Sequence, residues 1–111
     1  MTNPFELTAT DAIKLIGKKK LSRYEWVHSC FERIREKDQS VKAWVYLDEE
    51  KALAKAKQLD NEDDKLQPGI PFGIKDIIDA SNVPTRFGTN FYQNNIPIRD
   101  AASVAVAKQS G

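Results

Sequence analysis

The run Gly69-Ile70-Pro71-Phe72-Gly73-Ile74-Lys75-Asp76-Ile77-Ile78-Asp79 constrains the fold more than any other stretch of the chain. It is apolar, too short for a helix, and carries one lysine near its middle. Pro71 lacks an amide hydrogen and biases Ile70 toward extended angles, so a helix is not expected to run through it. Phe72, Ile74, Ile77 and Ile78 then read as a short strand buried on both faces, as inside an α/β sheet. Alternation along that strand places Lys75 on one face with Gly73 and Ile77, and turns Asp76 the other way.

A lysine in such a run has two readings. Burial disfavours the charged ammonium, which frees a lone pair for taking a proton from a hydroxyl nucleophile. Alternatively, the stem lies along the core and the amine reaches water. The residue pattern leaves both open.

The chain before this run reads as helical. Thr8 and Asp11 form a helix start, followed by the apolar positions Ala12, Ile13, Leu15 and Ile16 and a stop at Gly17. Residues 1–7 read as a loose arm from which Phe5 and Leu7 can dock. Ser22 and Glu25 form a capping box for a helix running to about Lys37, with Tyr24, Val27, His28, Phe31 and Ile34 as its apolar stripe. Val41 to Leu47 reads as a short strand. Asp48 starts another helix, with Ala52, Leu53, Ala56 and Leu59 on one face, and residues 60–64 read as an acidic connector. Past the lysine run, residues 79–95 form an irregular loop rich in turn residues and aromatics. Asp100 then caps an apolar helix over 101–109, smooth enough to lie buried against a sheet.

Balanced charge, 17 basic against 16 acidic residues, removes the electrostatic footprint of a nucleic-acid or anionic-membrane binder. Cys30, the single cysteine, reads as an inert helix thiol and fits a reducing, cytoplasmic compartment. His28, the single histidine, has no Cys or His at metal spacing and reads as packed, which weighs against a Ser-His-Asp mechanism. The expectation is no metal, no cofactor, no direct nucleic-acid contact and no membrane segment.

Three blocks taken together resemble the amidase signature family of serine hydrolases. They are Gly69 to Asp76, then Val83-Pro84-Thr85-Arg86-Phe87-Gly88-Thr89, then Asp100-Ala101-Ala102-Ser103-Val104 leading to Ser110-Gly111. That resemblance, best over residues 69–111, implies that Lys75 matches the lysine of a Ser–cis-Ser–Lys triad. It implies Thr85 and Thr89 as substrate-binding or supporting residues near the active site, although Gly88-Thr89 stands where the family often has Gly-Ser. The implied fold is α/β: N-terminal helices, then the start of a mixed-sheet α/β/α amidase signature fold, incomplete in this chain. Residues 1–111 would be the N-terminal part of one amidase domain, with a helical peripheral region over 1–67 and the lysine strand, loop and buried helix over 68–111.

The implied activity is cleavage of a small-molecule carboxylic amide through a serine acyl-enzyme, with Lys75 as general base. The family's Gly/Ser-rich stretch, bearing the bridging serine and the nucleophile, has no counterpart here, so this stretch alone is expected to be inactive. Two alternatives stand beside it. One is the A subunit of glutamyl-tRNA(Gln) amidotransferase, which would bring a partner subunit where an amidase would form a homodimer. The other is a helical binding module without chemistry, in which Lys75 is exposed.

Overall fold

In the computed structural model, residues 2–63 and 67–111 are described. Four α-helices dominate: α1 (Ala9–Gly17), α2 (Arg23–Val41), α3 (Glu49–Glu62) and α4 (Ala102–Gln109). Short 3-10 turns cover Pro4–Glu6 and Asn90–Tyr92. The chain divides into two compact units, the first ending at Pro71 and the second covering Phe72–Gly111.

Local chemistry sets the helix boundaries of the first unit. The Thr8 hydroxyl accepts the Asp11 amide at 3.1 Å and opens α1. Helix α1 ends at Gly17, but the left-handed residue that closes it is Lys19 (φ 55). With that turn, the Lys20 amide reaches back to the Leu15 carbonyl at 2.9 Å.

All the leading amides of α2 find oxygen. Ser22 Oγ accepts the Glu25 amide at 3.0 Å, and the Glu25 carboxylate accepts the Ser22 amide at 2.8 Å. Asp60, near the end of α3, accepts the amides of Arg23 (2.8 Å) and Tyr24 (3.0 Å). One carboxylate thus serves the positive end of the α2 dipole and ties α3 to α2.

Arg23 completes this junction. It is 3% exposed; Nη1 approaches Asp60 Oδ1 at 3.5 Å and Nε donates to the Gln67 carbonyl at 3.1 Å. A nearly buried guanidinium persists only with such partners. Its stem runs along Gly69, whose φ of +72 only glycine adopts without strain. The segment entering the Gly-Ile-Pro motif is therefore fastened to α2.

The core of this unit is Ala12, Leu21 and Trp26, with Leu7, Leu15, Ile16, Cys30 and Ile70 packed on it. Burial pushes the Cys30 thiol up from its ordinary value, in keeping with an inert group. The N-terminal arm is not loose over Pro4–Glu6. The Phe5 amide donates to Ser29 Oγ at 3.2 Å and the Arg33 guanidinium lies 5.1 Å from the Phe5 ring centre.

Several sequence expectations are overturned. The α/β reading fails: among the described residues there is no strand, so no mixed sheet begins here. Val41–Leu47 is not a strand, because α2 extends to Val41 and left-handed Lys42 (φ 53) ends it. The connector that follows, with Trp44 and Tyr46, is exposed. Nor is Phe72–Ile78 a strand: Phe72 and Ile77 are exposed, and a turn closes at Ile78. Both runs have strand-like composition but no neighbouring strand to bond with, and a strand exists only as part of a ladder.

Other differences are local. Residues 60–62 belong to α3 rather than to an acidic loop, and Asp64 lies outside the described residues. In α2, Tyr24 is exposed while Trp26 is buried. The stripe expected from Tyr24 is thus displaced toward Trp26. The residue capping α4 at its start is Ala101 rather than Asp100, with no side-chain cap bond, and within the helix only Val104 is buried.

Candidate active site

The Lys75 motif lies in the second unit and is shaped by a turn. The Ile78 amide donates to the Lys75 carbonyl at 2.9 Å, so the chain reverses at Asp76 and Ile77. Asp76 then gathers the loop bearing the Pro-Thr block. Its Oδ1 accepts the Arg86 amide at 2.8 Å and its Oδ2 accepts the Gly88 amide at 3.1 Å. Between these, the Phe87 amide donates to the Asp76 main-chain carbonyl at 2.9 Å. The Arg86 amide foremost, then the Gly88 amide and the charges of Arg86 and Lys75, holds the Asp76 carboxyl below its ordinary range against opposing desolvation.

Thr85 is 2% exposed, the most enclosed polar residue of the unit. Its amide donates to the Asn95 carbonyl at 2.9 Å, and Asn95 Nδ2 donates back to the Thr85 carbonyl at 3.0 Å. Thr89 starts the Asn90–Tyr92 turn, its hydroxyl accepting the Phe91 amide at 3.3 Å. Phe87 meets Tyr92 edge to face with ring centres 5.2 Å apart.

Farther along, Asp100 Oδ1 accepts the Ser81 amide at 2.7 Å and its Oδ2 pairs with Lys108 at 2.8 Å. The Ala101 amide donates to the Asp79 carbonyl at 2.8 Å. Within the second unit, Asp76 thus joins the Lys75 end of the first block to the Pro-Thr block, and the third block is tied through Asp100 and Ala101 to Ser81 and Asp79.

Lys75 itself is exposed. Among the described residues, none hydrogen-bonds its amine, and neither Thr85 nor Thr89 does so. The site residues come together through the main chain and Asp76 rather than by side-chain contact. Sequence reasoning missed Asp76, having aimed it away from Lys75 along a strand. The only signal in the motif was the aspartate itself, a residue type whose carboxylate readily accepts backbone amides in turns, ten positions before the Arg86-Phe87-Gly88 sequence.

The serines have other duties. Ser22 caps α2, Ser29 accepts the Phe5 amide, Ser40 donates to the Lys37 carbonyl, Ser81 to the Ile98 carbonyl and Ser110 to the Val106 carbonyl. Ser103 lies exposed within α4. His28 stacks on Tyr24 with ring centres 5.9 Å apart and has Glu32 at 3.8 Å, an exposed helix-face arrangement. Among the described residues, no three His, Cys, Asp or Glu side chains converge as metal ligands would. No helix of the described residues is long and apolar enough to cross a membrane.

The sequence profile of the Amidase family matches residues 25–111, which takes in the Lys75 motif and everything after it. The chain belongs to the amidase family. It is 38% identical over 103 residues to the A subunit of glutamyl-tRNA(Gln) amidotransferase from Oceanobacillus iheyensis, a match covering 90% of this chain and 21% of that protein. The corresponding protein of Bacillus thuringiensis is 35% identical over 108 residues, covering 94% of this chain and 22% of its own length. The chain thus spans about a fifth of the length of these relatives. No solved structure matches it.

Proposed function

We propose that this amidase-family chain supplies the general base, Lys75, for cleavage of a carboxylic amide by a serine nucleophile. The observation that carries the reading is the family match over residues 25–111, which includes the whole Gly-Ile-Pro-Phe-Gly-Ile-Lys-Asp motif. A serine attacks the amide carbonyl while Lys75, through a bridging serine, takes its proton. The amine then leaves, and water releases the acid from the acyl-enzyme. In this reading both hydroxyls and the oxyanion donors come from polypeptide beyond these residues, because five of the six serines of this chain are engaged in hydrogen bonds within it and Ser103 lies on the face of α4. That same polypeptide provides the cover that an exposed Lys75 needs to work as a base. Residues 1–111 alone therefore turn over no amide.

The named relatives favour one version of this chemistry. In it, the amide is the side chain of glutamine, and the ammonia released passes to a glutamyl-tRNA-linked partner subunit. This reading rests on identities of 38% and 35% to proteins named as the A subunit of glutamyl-tRNA(Gln) amidotransferase.

The test uses a polypeptide that joins this chain to its serine-bearing remainder, assayed for ammonia release from glutamine and from simple amides. Lys75→Ala and Lys75→Arg should each lower kcat/KM by on the order of 10²–10⁴, the span of general-base catalysis. Lys75→Arg activity near wild type would overturn the base assignment, since a guanidinium cannot accept the proton. Release from glutamine that rises when a copurifying partner is added supports the amidotransferase version; equal release from unrelated amides without any partner supports the simple amidase.

A further inference from the structure

We infer that Asp76 is a positioning residue, whose carboxylate and carbonyl clamp three successive amides and so lock the Lys75 turn to the loop bearing Thr85 and Thr89. The role as a positioning group for catalysis rests on reading Lys75 as the base; the clamp itself rests on geometry alone.

Three observations carry it. First, one residue takes the amides of Arg86, Phe87 and Gly88 at 2.8, 2.9 and 3.1 Å. The Arg86 and Gly88 amides converge on the carboxylate as in an anion-binding concavity, the anion here being the neighbour of Lys75, while the Phe87 amide between them takes the Asp76 carbonyl. Second, that concavity requires left-handed backbone at Phe87 (φ 55) and Gly88 (φ 73). A phenylalanine enters that region only when its surroundings hold it there. Third, Asp76 follows Lys75 directly, and the turn from Lys75 to Ile78 is closed by its own bond at 2.9 Å. The Phe87 amide also holds the Asp76 carbonyl, so a shift of the Asp76 main chain away from the loop turns the Lys75 backbone with it. The charged groups acting on Asp76 are Arg86 and Lys75, both favouring the carboxylate.

The ionic state sets when the clamp holds. The carboxyl is held below its ordinary value in the folded chain. Its contribution is therefore complete above the unfolded value of about 3.9 and is lost as pH falls through the lower folded value.

The experiment is amide-resolved NMR on the 111-residue chain, comparing wild type with Asp76→Asn and Asp76→Ala. In wild type, the Arg86 and Gly88 amide shifts should titrate together with a midpoint below that of an ordinary aspartate. Asp76→Asn keeps the shape but leaves one acceptor oxygen, so this shared titration should vanish. In Asp76→Ala, hydrogen exchange at both amides should speed up by at least about tenfold, the loss expected for charge-assisted bonds. The Lys75 side-chain resonances should shift in both variants while those of Lys42, in the other unit, stay put. Unchanged α2 amides show that the fold survives. Arg86 and Gly88 amides that neither titrate together nor exchange faster in Asp76→Ala overturn the clamp, and a Lys75 signal that stays fixed overturns the positioning role. Failure of the base reading shows separately, as turnover that survives Lys75→Ala.

Discussion

Adding one methyl group at Gly69 is expected to be among the costliest small changes in the first unit. Two penalties combine. At φ +72 an alanine adopts left-handed backbone, a cost of about 1–2 kcal/mol. Its Cβ would also lie 2.8 Å from Arg23 Cδ and 3.1 Å from Cγ. Carbons rest at about 3.5 Å or more, so the stem must yield by roughly 0.7 Å. Cδ lies between the α2 main chain and a guanidinium fixed by Gln67 at Nε and Asp60 at Nη1. Pushing it aside stretches the Gln67 bond, already 3.1 Å, out of range. Losing a charged hydrogen bond adds about 1.5–3 kcal/mol. The sum for Gly69→Ala is about 2.5–5 kcal/mol.

Urea unfolding followed by far-ultraviolet circular dichroism reads this directly, because α1, α2 and α3 all lie in the first unit. The decisive measurement is a double-mutant cycle with Arg23→Ala, which removes the atoms that the new methyl meets. Gly69→Ala should then cost only its backbone share, leaving a coupling of about 2 kcal/mol. A penalty of equal size in both backgrounds would refute the fastening of residues 67–69 by Arg23.

Two other stability changes follow from the helix ends. Ser22→Ala removes the acceptor of the Glu25 amide and should cost about 1 kcal/mol in the same urea assay, because Asp60 still serves the Arg23 and Tyr24 amides. Lys42→Gly should add about 0.5–1 kcal/mol, since left-handed Lys42 (φ 53) ends α2 with its amide on the Asp38 carbonyl and its side chain in solvent. A loss of stability in Lys42→Gly would mean that the Lys42 side chain carries a contact that outweighs its backbone strain.

Helix starts were legible because their chemistry is local. Thr8, Ser22 and Asp48 each bond an amide three residues on, and each could be picked out from its neighbours. Arg23 was not legible, since its burial depends on Asp60 and Gln67, 37 and 44 residues away. Trp26 was not legible from a stripe that begins at Tyr24, because its burial is set by packing on Ala12 and Leu21, outside the helix itself. The expected strands failed for a different reason. Apolar, β-branched composition is a statement about the surface a residue suits, and it becomes a strand only when another strand supplies the ladder.

The lysine motif extends that argument. Alternation of apolar residues predicts burial, yet in the second unit Phe91 is 94% and Ile98 85% exposed, and its buried residues are Ala80, Thr85 and Val104. What shapes this unit is polar: Asp76 on the Arg86 and Gly88 amides, Asn95 on Thr85, and Asp100 on Ser81. Each of these bonds joins positions 10 to 19 apart, a spacing that matches neither the period of a helix nor that of a strand. Periodicity could therefore point to the motif but not to its conformation. Phe72 and Ile77 of the motif share one condition with Lys75: all three are exposed, and all three require further polypeptide if they are to lie in a dry site. What these residues already hold in place is the carboxylate next to the lysine. On the proposed reading of Lys75 as the base, its placement depends on Asp76 staying ionised and seated on the Arg86 and Gly88 amides.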